Sequence, residues 1–379
     1  LSEWLLLLGA RVRGFSLPSA AMARARSPNA VNANFRIALA VFDALKAHGV
    51  GYVSDPVAPI ESRMAARDAV DYLQFPVQTL AYKGGYCDDI SILYAALLES
   101  AGIGTAFLTV PGHIFVAFDL GMATSEAGGF FSSPEASVID REGKAWLPVE
   151  ITKVQDGFVK AYQAGAQEWF AASGSGKSDF VPVREAWAEF APANTGTLVK
   201  ETPSSPDSSQ VQGLFDAEMA RFFAVEFQSR IGELKAEIGK GKDVARLRNR
   251  LGAIYARFGM LAEAKKEFEA AVAVKDAGAA VASAANVNLG NIAYLDARYQ
   301  EAYDFYLKAV GIKADNAIAV LGLARAAYEL GKKSETESAM IDLRRLSPAQ
   351  ADKYAYMSAG GSGAARAASV EKEVTSWPE

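Results

Sequence analysis

The sequence predicts a two-part fold, an α+β domain followed by an all-α region. Over about 31–191, apolar residues recur at helical spacing and then give way to short runs of β-branched and aromatic residues. A stretch rich in Pro and Ser over 192–212 is typical of a linker. From 213 to about 358 the pattern is helical and rich in alanine. We expect residues 1–30 to form an N-terminal extension and 359–379, which contain a Gly-rich run, to form a flexible tail.

Composition argues against several classes of protein. The 379 residues include 39 basic and 44 acidic side chains, and neither the net charge of −5 nor the spread of Lys and Arg suggests a nucleic-acid partner. A single cysteine excludes an internal disulfide, and with two histidines it argues against a zinc site, so we expect no metal and no cofactor.

No apolar run is long enough to cross a membrane. Because the chain starts with Leu rather than Met, a removed signal peptide would fit, and the bacterial periplasm or cell envelope and the cytoplasm all stay open.

The first half of the α+β domain is predicted to be helical. Apolar residues repeat at helical spacing over 31–45, and glycines end that helix. A second helix is predicted over about 62–73 and a short one over 77–82. Gly84-Gly85 then breaks the pattern, and a strongly apolar helix follows over about 90–101.

The second half of this domain is predicted to contain antiparallel strands. Residues 105–110 and 113–118 are rich in β-forming side chains, and the turn sequence Pro111-Gly112 joins them. A long loop is expected over 120–134, because this stretch holds Gly, Ser and Pro. The elements predicted after the loop are a hairpin of 136–139 with 145–151 and helices over 157–172 and 183–190.

The all-α region contains a repeated pattern. Small and large apolar residues recur in three units that begin near Leu251, Leu289 and Leu323, offset by 38 and then by 34 residues. The pattern resembles the tetratricopeptide repeat (TPR), in which small residues let paired helices cross closely and large ones fill the spaces. The resemblance implies a stack of helix pairs that binds a protein or peptide partner on its concave face. A plain helical bundle and a docking platform for the first domain are the alternatives.

Cys87 is the main candidate for chemistry. It follows Gly84-Gly85-Tyr86 and directly precedes an apolar helix. A helix N-terminus stabilises a thiolate, and its backbone N–H groups point at charge that develops there. The position is therefore typical of a nucleophile, with a buried structural cysteine as the alternative.

A cysteine nucleophile needs a base and an acid that orients the base. His113 begins an otherwise apolar strand, where a polar ring is expected to face a site rather than a core. Glu150 lies in the apolar run 146–151, where an unpaired carboxylate would be costly. Both residues also have plainer interpretations, an edge-strand histidine without a role and a carboxylate that faces solvent. The other candidates are weaker, namely Asp119 and Asp140 beside turns and His48 as a helix cap.

Three segments resemble a transglutaminase-like core in their order and spacing. They are Gly85-Tyr86-Cys87-Asp88-Asp89, Gly112-His113 and Trp146-Leu147-Pro148-Val149-Glu150. The resemblance covers about 31–190 and implies a papain-like arrangement, with the Cys on a helix start and the His and acid on successive strands. It implies Cys87 as nucleophile, His113 as base and Glu150 as orienting acid. Two departures are that the family acid is most often Asp, and that 36 residues separate His113 from Glu150.

The resemblance also implies supporting residues and an activity. Asp89 is expected to brace the cysteine helix. The Cys87 backbone N–H is expected to form an oxyanion hole with a side-chain donor, for which Gln78 and Tyr82 are the candidates. The implied activity is acyl transfer or hydrolysis of a peptide or amide through a Cys87 thioester, of protease, amidase or transglutaminase type. The alternative is a catalytically inactive protein whose repeats carry a binding or scaffold role.

Overall fold

The chain is described here by a computed structural model of mixed α+β type, with an antiparallel sheet and a C-terminal helical region, as the sequence predicts. The described residues are 10–25, 32–53, 73–189, 205–358 and 376–379. The helix predicted over about 62–73 lies outside them except for its last residue, and so does the predicted linker up to residue 204. Within these ranges, no helix combines the length and apolar character that a membrane crossing needs.

The structure forms two compact units, and the second begins at Phe227. The helices described in the first unit are α1 (Ala10–Ala25), α2 (Ala33–His48), α3 (Pro76–Tyr82), α4 (Cys87–Ser100), α5 (Pro134–Ser137), α6 (Phe158–Ser173) and α7 (Val183–Glu189). Its strands are β1 (Gly51–Tyr52), β2 (Gly84–Gly85), β3 (Thr105–Val110), β4 (His113–Ala123), β5 (Ile139–Arg141), β6 (Lys144–Val149) and β7 (Asp179–Pro182). A long helix, α8 (Ser208–Gly239), follows.

The main sheet has five antiparallel strands in the order β5-β6-β4-β3-β7. The β3–β4 hairpin pairs Val110 with His113, so Pro111-Gly112 forms the predicted tight turn, with Gly112 at a φ of 77°. β4 is longer than predicted and reaches Ala123, because its second half pairs with β6. The sequence does not predict β7, since a segment of four residues becomes a strand here only by pairing with β3.

α4 is largely buried within the first unit. Its Tyr94 is fully buried and donates a hydrogen bond to the Ala38 carbonyl of α2 over 3.0 Å. Near the start of α4, Ser91 Oγ donates to the Ile114 carbonyl of β4 over 3.4 Å. This contact, together with the packing of α4 on β4, brings the first turn of α4 to the beginning of β4. The fold therefore places Cys87 close to the first residue of β4, which is His113.

The first part of α8 packs on the first unit. The ring of Phe222 lies 4.5 Å from that of Phe35, measured between centroids. Glu226 accepts hydrogen bonds from the backbone N–H and the hydroxyl of Ser132, both over 2.8 Å. The sequence predicts that the helical region starts at residue 213. In the structure the first part of α8, up to Glu226, belongs to the first unit, and the second unit begins at Phe227 within the same helix. Helical spacing continues through α8 and does not show which neighbours bury each part of it.

The second unit continues with helices that pack against their neighbours in the chain. They are α9 (Val244–Arg257), α10 (Leu261–Val272), α11 (Ala279–Leu295), α12 (Tyr299–Ile312), α13 (Ala317–Glu329), α14 (Lys333–Leu346) and α15 (Pro348–Lys353). A Cβ at Gly252 would lie 2.6 Å from the ring of Phe268, and one at Gly290 would lie 2.7 Å from the ring of Tyr306. Gly252 and Gly290 therefore lie where two helices approach closely.

Of the predicted tail over 359–379, residues 359–375 lie outside the described ranges, and residues 376–379 pack on the second unit. The side chain of Trp377 is only 5% exposed. Its ring lies parallel to that of Phe268, with 6.2 Å between centroids and 11° between planes. A tryptophan removes a large apolar area from water when it is buried, which holds even a short segment in place.

Candidate active site

Cys87 is the first residue of α4 and is 8% exposed. The buried carboxylate of Asp89 shapes this helix start, because it accepts hydrogen bonds from the backbone N–H groups of Tyr86 over 3.0 Å and Gln74 over 2.7 Å. Gly85 leaves room for that carboxylate, since a Cβ there would lie 2.6 Å from Asp89 Cβ. Asp89 thus braces the cysteine turn in the way the sequence suggests.

His113 lies between the thiol and a carboxylate. Its Nε2 is 2.5 Å from Glu150 Oε2, and Cys87 is close enough for its charge to raise the pKa of the ring. The ring is 26% exposed and stacks on Phe115 with 5.8 Å between centroids, so one side of it is packed and one side is open. The structure therefore brings together the Cys, His and Glu that the sequence selected.

Glu150 is 1% exposed and follows directly after β6, rather than lying inside a strand. Its Oε1 accepts two hydrogen bonds from Thr152, from the backbone N–H over 3.0 Å and from the hydroxyl over 2.5 Å. Its other oxygen remains for His113. Gly165 on α6 packs against this point, because a Cβ there would lie 2.9 Å from the Glu150 backbone nitrogen. The carboxylate is held on both oxygens, which fixes the orientation of the imidazole.

The pKa shifts of His113 and Glu150 favour the charged form of each side chain. Burial lowers the pKa of His113, but hydrogen bonds to Cys87 and Glu150 and the negative charges of both outweigh burial and raise the pKa to about 10. Burial acts in the opposite direction on Glu150 and would raise its pKa. The hydrogen bond and charge of His113, helped by Thr152, overcome this and leave the pKa of Glu150 lowered. An imidazolium paired with the Glu150 carboxylate is the resting state that these shifts support.

Two residues near the site carry no recognisable signal in the sequence. Glu168 on α6 places Oε2 3.8 Å from His113 Nε2, and its pKa is raised by burial and by the charge of Glu150. Tyr52 on β1 is half exposed, and its pKa is raised by burial and then by the charges of Cys87 and Glu150. The charges of Cys87 and Glu150 therefore reach the Tyr52 hydroxyl.

The other sequence candidates have local roles in the structure. Gln78 uses Oε1 to accept the backbone N–H of Phe75 over 2.9 Å and so caps α3. Tyr82, at the end of α3, is 66% exposed, which is unlike a donor held in a dry pocket. The remaining three bind nearby backbone groups: His48 the Leu80 carbonyl, Asp119 the Gly121 N–H and Asp140 the Gly143 N–H.

The same site contains a set of groups with the spacing of metal ligands. One nitrogen of His113 and one oxygen each of Glu150 and Glu168 lie within 4.8 Å of one another. Nitrogen and carboxylate ligands suit Zn²⁺, Mn²⁺ and Fe²⁺. However, His113 Nε2 and Glu150 Oε2 hydrogen bond to each other at 2.5 Å, whereas two ligands of one tetrahedral ion lie about 3 Å apart. A cation would have to separate the pair that orients the imidazole.

Neither the protein-family models nor the curated proteins that were compared with this chain match it. The transglutaminase-like resemblance therefore rests on the three sequence segments.

Proposed function

We propose that this chain is a cysteine-dependent enzyme of transglutaminase-like type, which transfers or hydrolyses an acyl group of a peptide or amide through a thioester on Cys87. The observation that carries the proposal is the placement of His113 beside Cys87, whose charge raises the pKa of the ring, with the ring also hydrogen bonded to the almost completely buried carboxylate of Glu150. A structural cysteine has no need of a histidine oriented by a buried acid.

The proposed reaction begins with attack of the Cys87 thiolate on the substrate carbonyl carbon. A C–S bond forms, and the electron pair of the carbonyl moves to its oxygen. The Cys87 backbone N–H at the start of α4 stabilises that oxyanion, together with a side-chain donor. Tyr52 is the better placed candidate for this donor, since its hydroxyl senses the charge of Cys87.

The His113 imidazolium then gives its proton to the leaving nitrogen, and the C–N bond breaks to leave a thioester. In the second half, His113 accepts a proton from water or from an acceptor amine as that nucleophile attacks the thioester. The C–S bond breaks, the thiolate returns, and the product is an acid or a new amide. Glu150 keeps the imidazole in one orientation and stabilises its charged form throughout.

The helical unit is proposed to be a TPR-like stack that binds a protein or peptide partner. Support comes from the close helix crossings at Gly252 and Gly290, which occur at equivalent positions of two repeats. In the alternative function the Cys87 site is inactive and this unit alone carries the activity of the protein, as a scaffold.

The pH dependence of Cys87 alkylation by iodoacetamide tests the proposal. A thiolate held in an ion pair reacts at a rate that is nearly constant between about pH 6 and 8, whereas an ordinary thiol, with a pKa of ~8.5, reacts about tenfold faster for each pH unit. We expect the first behaviour for the native chain and the second for His113→Ala. A comparison of slopes is unaffected by how far the partly buried sulfur slows the reaction overall.

His48→Ala is the matched control, because it removes the other histidine of the chain. It should keep the flat profile. A native profile that rises tenfold per pH unit would show that Cys87 is an ordinary thiol and would leave the scaffold function in its place. A flat profile that survives His113→Ala would show that His113 does not hold the thiolate and would overturn the proposed role of His113.

A further inference from the structure

Three of the buried asparagines of the second unit hydrogen bond to residues 376–379. Asn249 lies on α9 and is completely buried, and Asn288 and Asn291 lie on α11 with exposures of 0% and 7%. A buried amide is costly unless its hydrogen bonds are satisfied. Asn288 Nδ2 donates to Asn249 Oδ1 over 2.9 Å, which joins the first helices of two successive repeats.

The amide groups of these asparagines hold the backbone of residues 376–379. The Nδ2 atoms of Asn249 and Asn288 both donate to the Pro378 carbonyl over 2.9 Å, and Asn291 Nδ2 donates to the Ser376 carbonyl over 2.8 Å. The bonded carbonyls are two residues apart, and the residue between them precedes a proline, which favours an extended backbone. Main-chain recognition of this kind binds an extended peptide whatever its side chains.

Two side chains of the segment add selectivity. Trp377 is buried and stacks on Phe268 of α10. The carboxylate of Glu379 lies 2.7 Å from Arg257 Nη1 and 3.1 Å from Arg250 Nε, both on α9. An aromatic anchor in a pocket and a charged pair at the rim are the features that give peptide sites their specificity.

We propose that this surface, formed by Asn249, Asn288, Asn291, Phe268, Arg250 and Arg257, is a binding site for extended peptides of the order Trp-Pro-acidic. Residues 376–379 are its tethered occupant, and a partner segment of the same chemistry competes with them. The inference rests on the proposed peptide-binding role of the helical unit and is independent of the chemistry at Cys87. It adds the ligand class and a form of regulation, because the site opens only when the tethered segment leaves.

The strength of this competition follows from the tether. A segment joined to its site by a short linker has an effective concentration on the order of 1 mM. For a free peptide of the same sequence that binds with a Kd of about 100 µM, occupation by the tethered segment weakens apparent binding about tenfold. Release of the tethered segment should therefore strengthen the apparent binding of the free peptide about tenfold.

The experiment measures binding of a dye-labelled peptide of residues 371–379 to the full chain by fluorescence anisotropy. We compare the native chain with Trp377→Ala, which removes the anchor of the tethered segment but leaves the binding surface intact. We expect the peptide to bind Trp377→Ala about tenfold more tightly than the native chain. Adding Arg257→Gln should abolish most of that gain, whereas Arg246→Gln on the same helix should not, because Arg246 pairs with Asp243 instead.

Each outcome decides a separate point. Equal affinity for the native and Trp377→Ala chains would overturn the tethered occupant and leave the peptide-binding role standing. Absence of binding to both chains would overturn the site itself. Binding to Trp377→Ala that is insensitive to Arg257→Gln would show that the peptide is held elsewhere on the chain.

Discussion

Replacing Glu150 by Gln keeps the size of the side chain and removes its negative charge beside His113. The pKa of His113 is about 10 against an ordinary 6.5. At ~1.36 kcal/mol per pKa unit, this difference amounts to about 5 kcal/mol in favour of the charged ring. Because Cys87 and Glu150 both contribute a hydrogen bond and a charge, an equal share gives about 2–3 kcal/mol for Glu150. Glu150→Gln should therefore lower the pKa of His113 by about 2.

Nuclear magnetic resonance of the histidine-labelled chain measures this directly, since the sequence contains two histidines. His48 is an internal control, with a pKa that burial lowers from 6.5. We expect one titration below pH 6.5 and one near 10 in the native chain, with the upper one alone moved by Glu150→Gln. Cys87→Ser should lower the upper titration as well, because the charge of Cys87 also raises the pKa of His113.

The same shift has a consequence for stability, with a defined sign. The folded pKa of His113 lies above its unfolded value, so the stabilisation is complete below about pH 6.5 and is lost as the pH rises towards 10. The free energy of unfolding of the native chain, relative to His113→Asn, should fall over that range. A native His113 that titrates near 6.5, or one that Glu150→Gln leaves unmoved, would refute the account of the charged pair.

Two further substitutions test the supports of Glu150. Gly165→Ala should cost about 1–3 kcal/mol of unfolding free energy in urea denaturation, because the new methyl group meets the Glu150 backbone. Gly232→Ala, in α8 with no atom within 4 Å of the new carbon, should instead stabilise by up to about 1 kcal/mol, and equal effects would contradict the packing argument. Thr152→Val should cost about 1–2 kcal/mol and raise the pKa of Glu150, seen by carboxylate titration, because a donor to Oε1 is lost. Thr109→Val, which removes a long 3.4 Å bond at the surface, should cost little, and a comparable loss there would mean that Thr152 has no special role.

The sequence predicts the elements of the candidate site closely, because their signals are local. Pro111-Gly112 predicts a tight turn from two residues, and the structure places His113 directly after it. The break at Gly84-Gly85 predicts a helix after it, over about 90–101, and the structure begins this helix slightly earlier, at Cys87. The structure explains the second glycine by the space that Asp89 occupies. Such preferences belong to adjacent residues and survive in almost any tertiary context.

Other parts of the site are invisible in the sequence. Glu168 and Tyr52 lie far from Cys87 along the chain, on α6 and β1, and neither spacing nor composition distinguishes them from ordinary surface residues. The position of Glu150 just after β6 rather than within a strand depends on Thr152 and on the packing of α6. Each of these features depends on a contact between segments that are far apart in the sequence. Hydrophobic periodicity does not predict which distant segments come into contact.

The sequence by itself determined the α+β domain, the order of the Cys, His and acid, and the helical character of the C-terminal region, since these follow from turn chemistry and from periodicity. Only the tertiary structure decided that the imidazole meets a buried carboxylate and lies within reach of the charge of Cys87. It also decided that the first part of α8 packs on the N-terminal unit and that Trp377 is buried among the repeats. The physical reason is that burial and charge pairing depend on which distant surfaces meet, and free energy from such contacts exists only once the chain has folded.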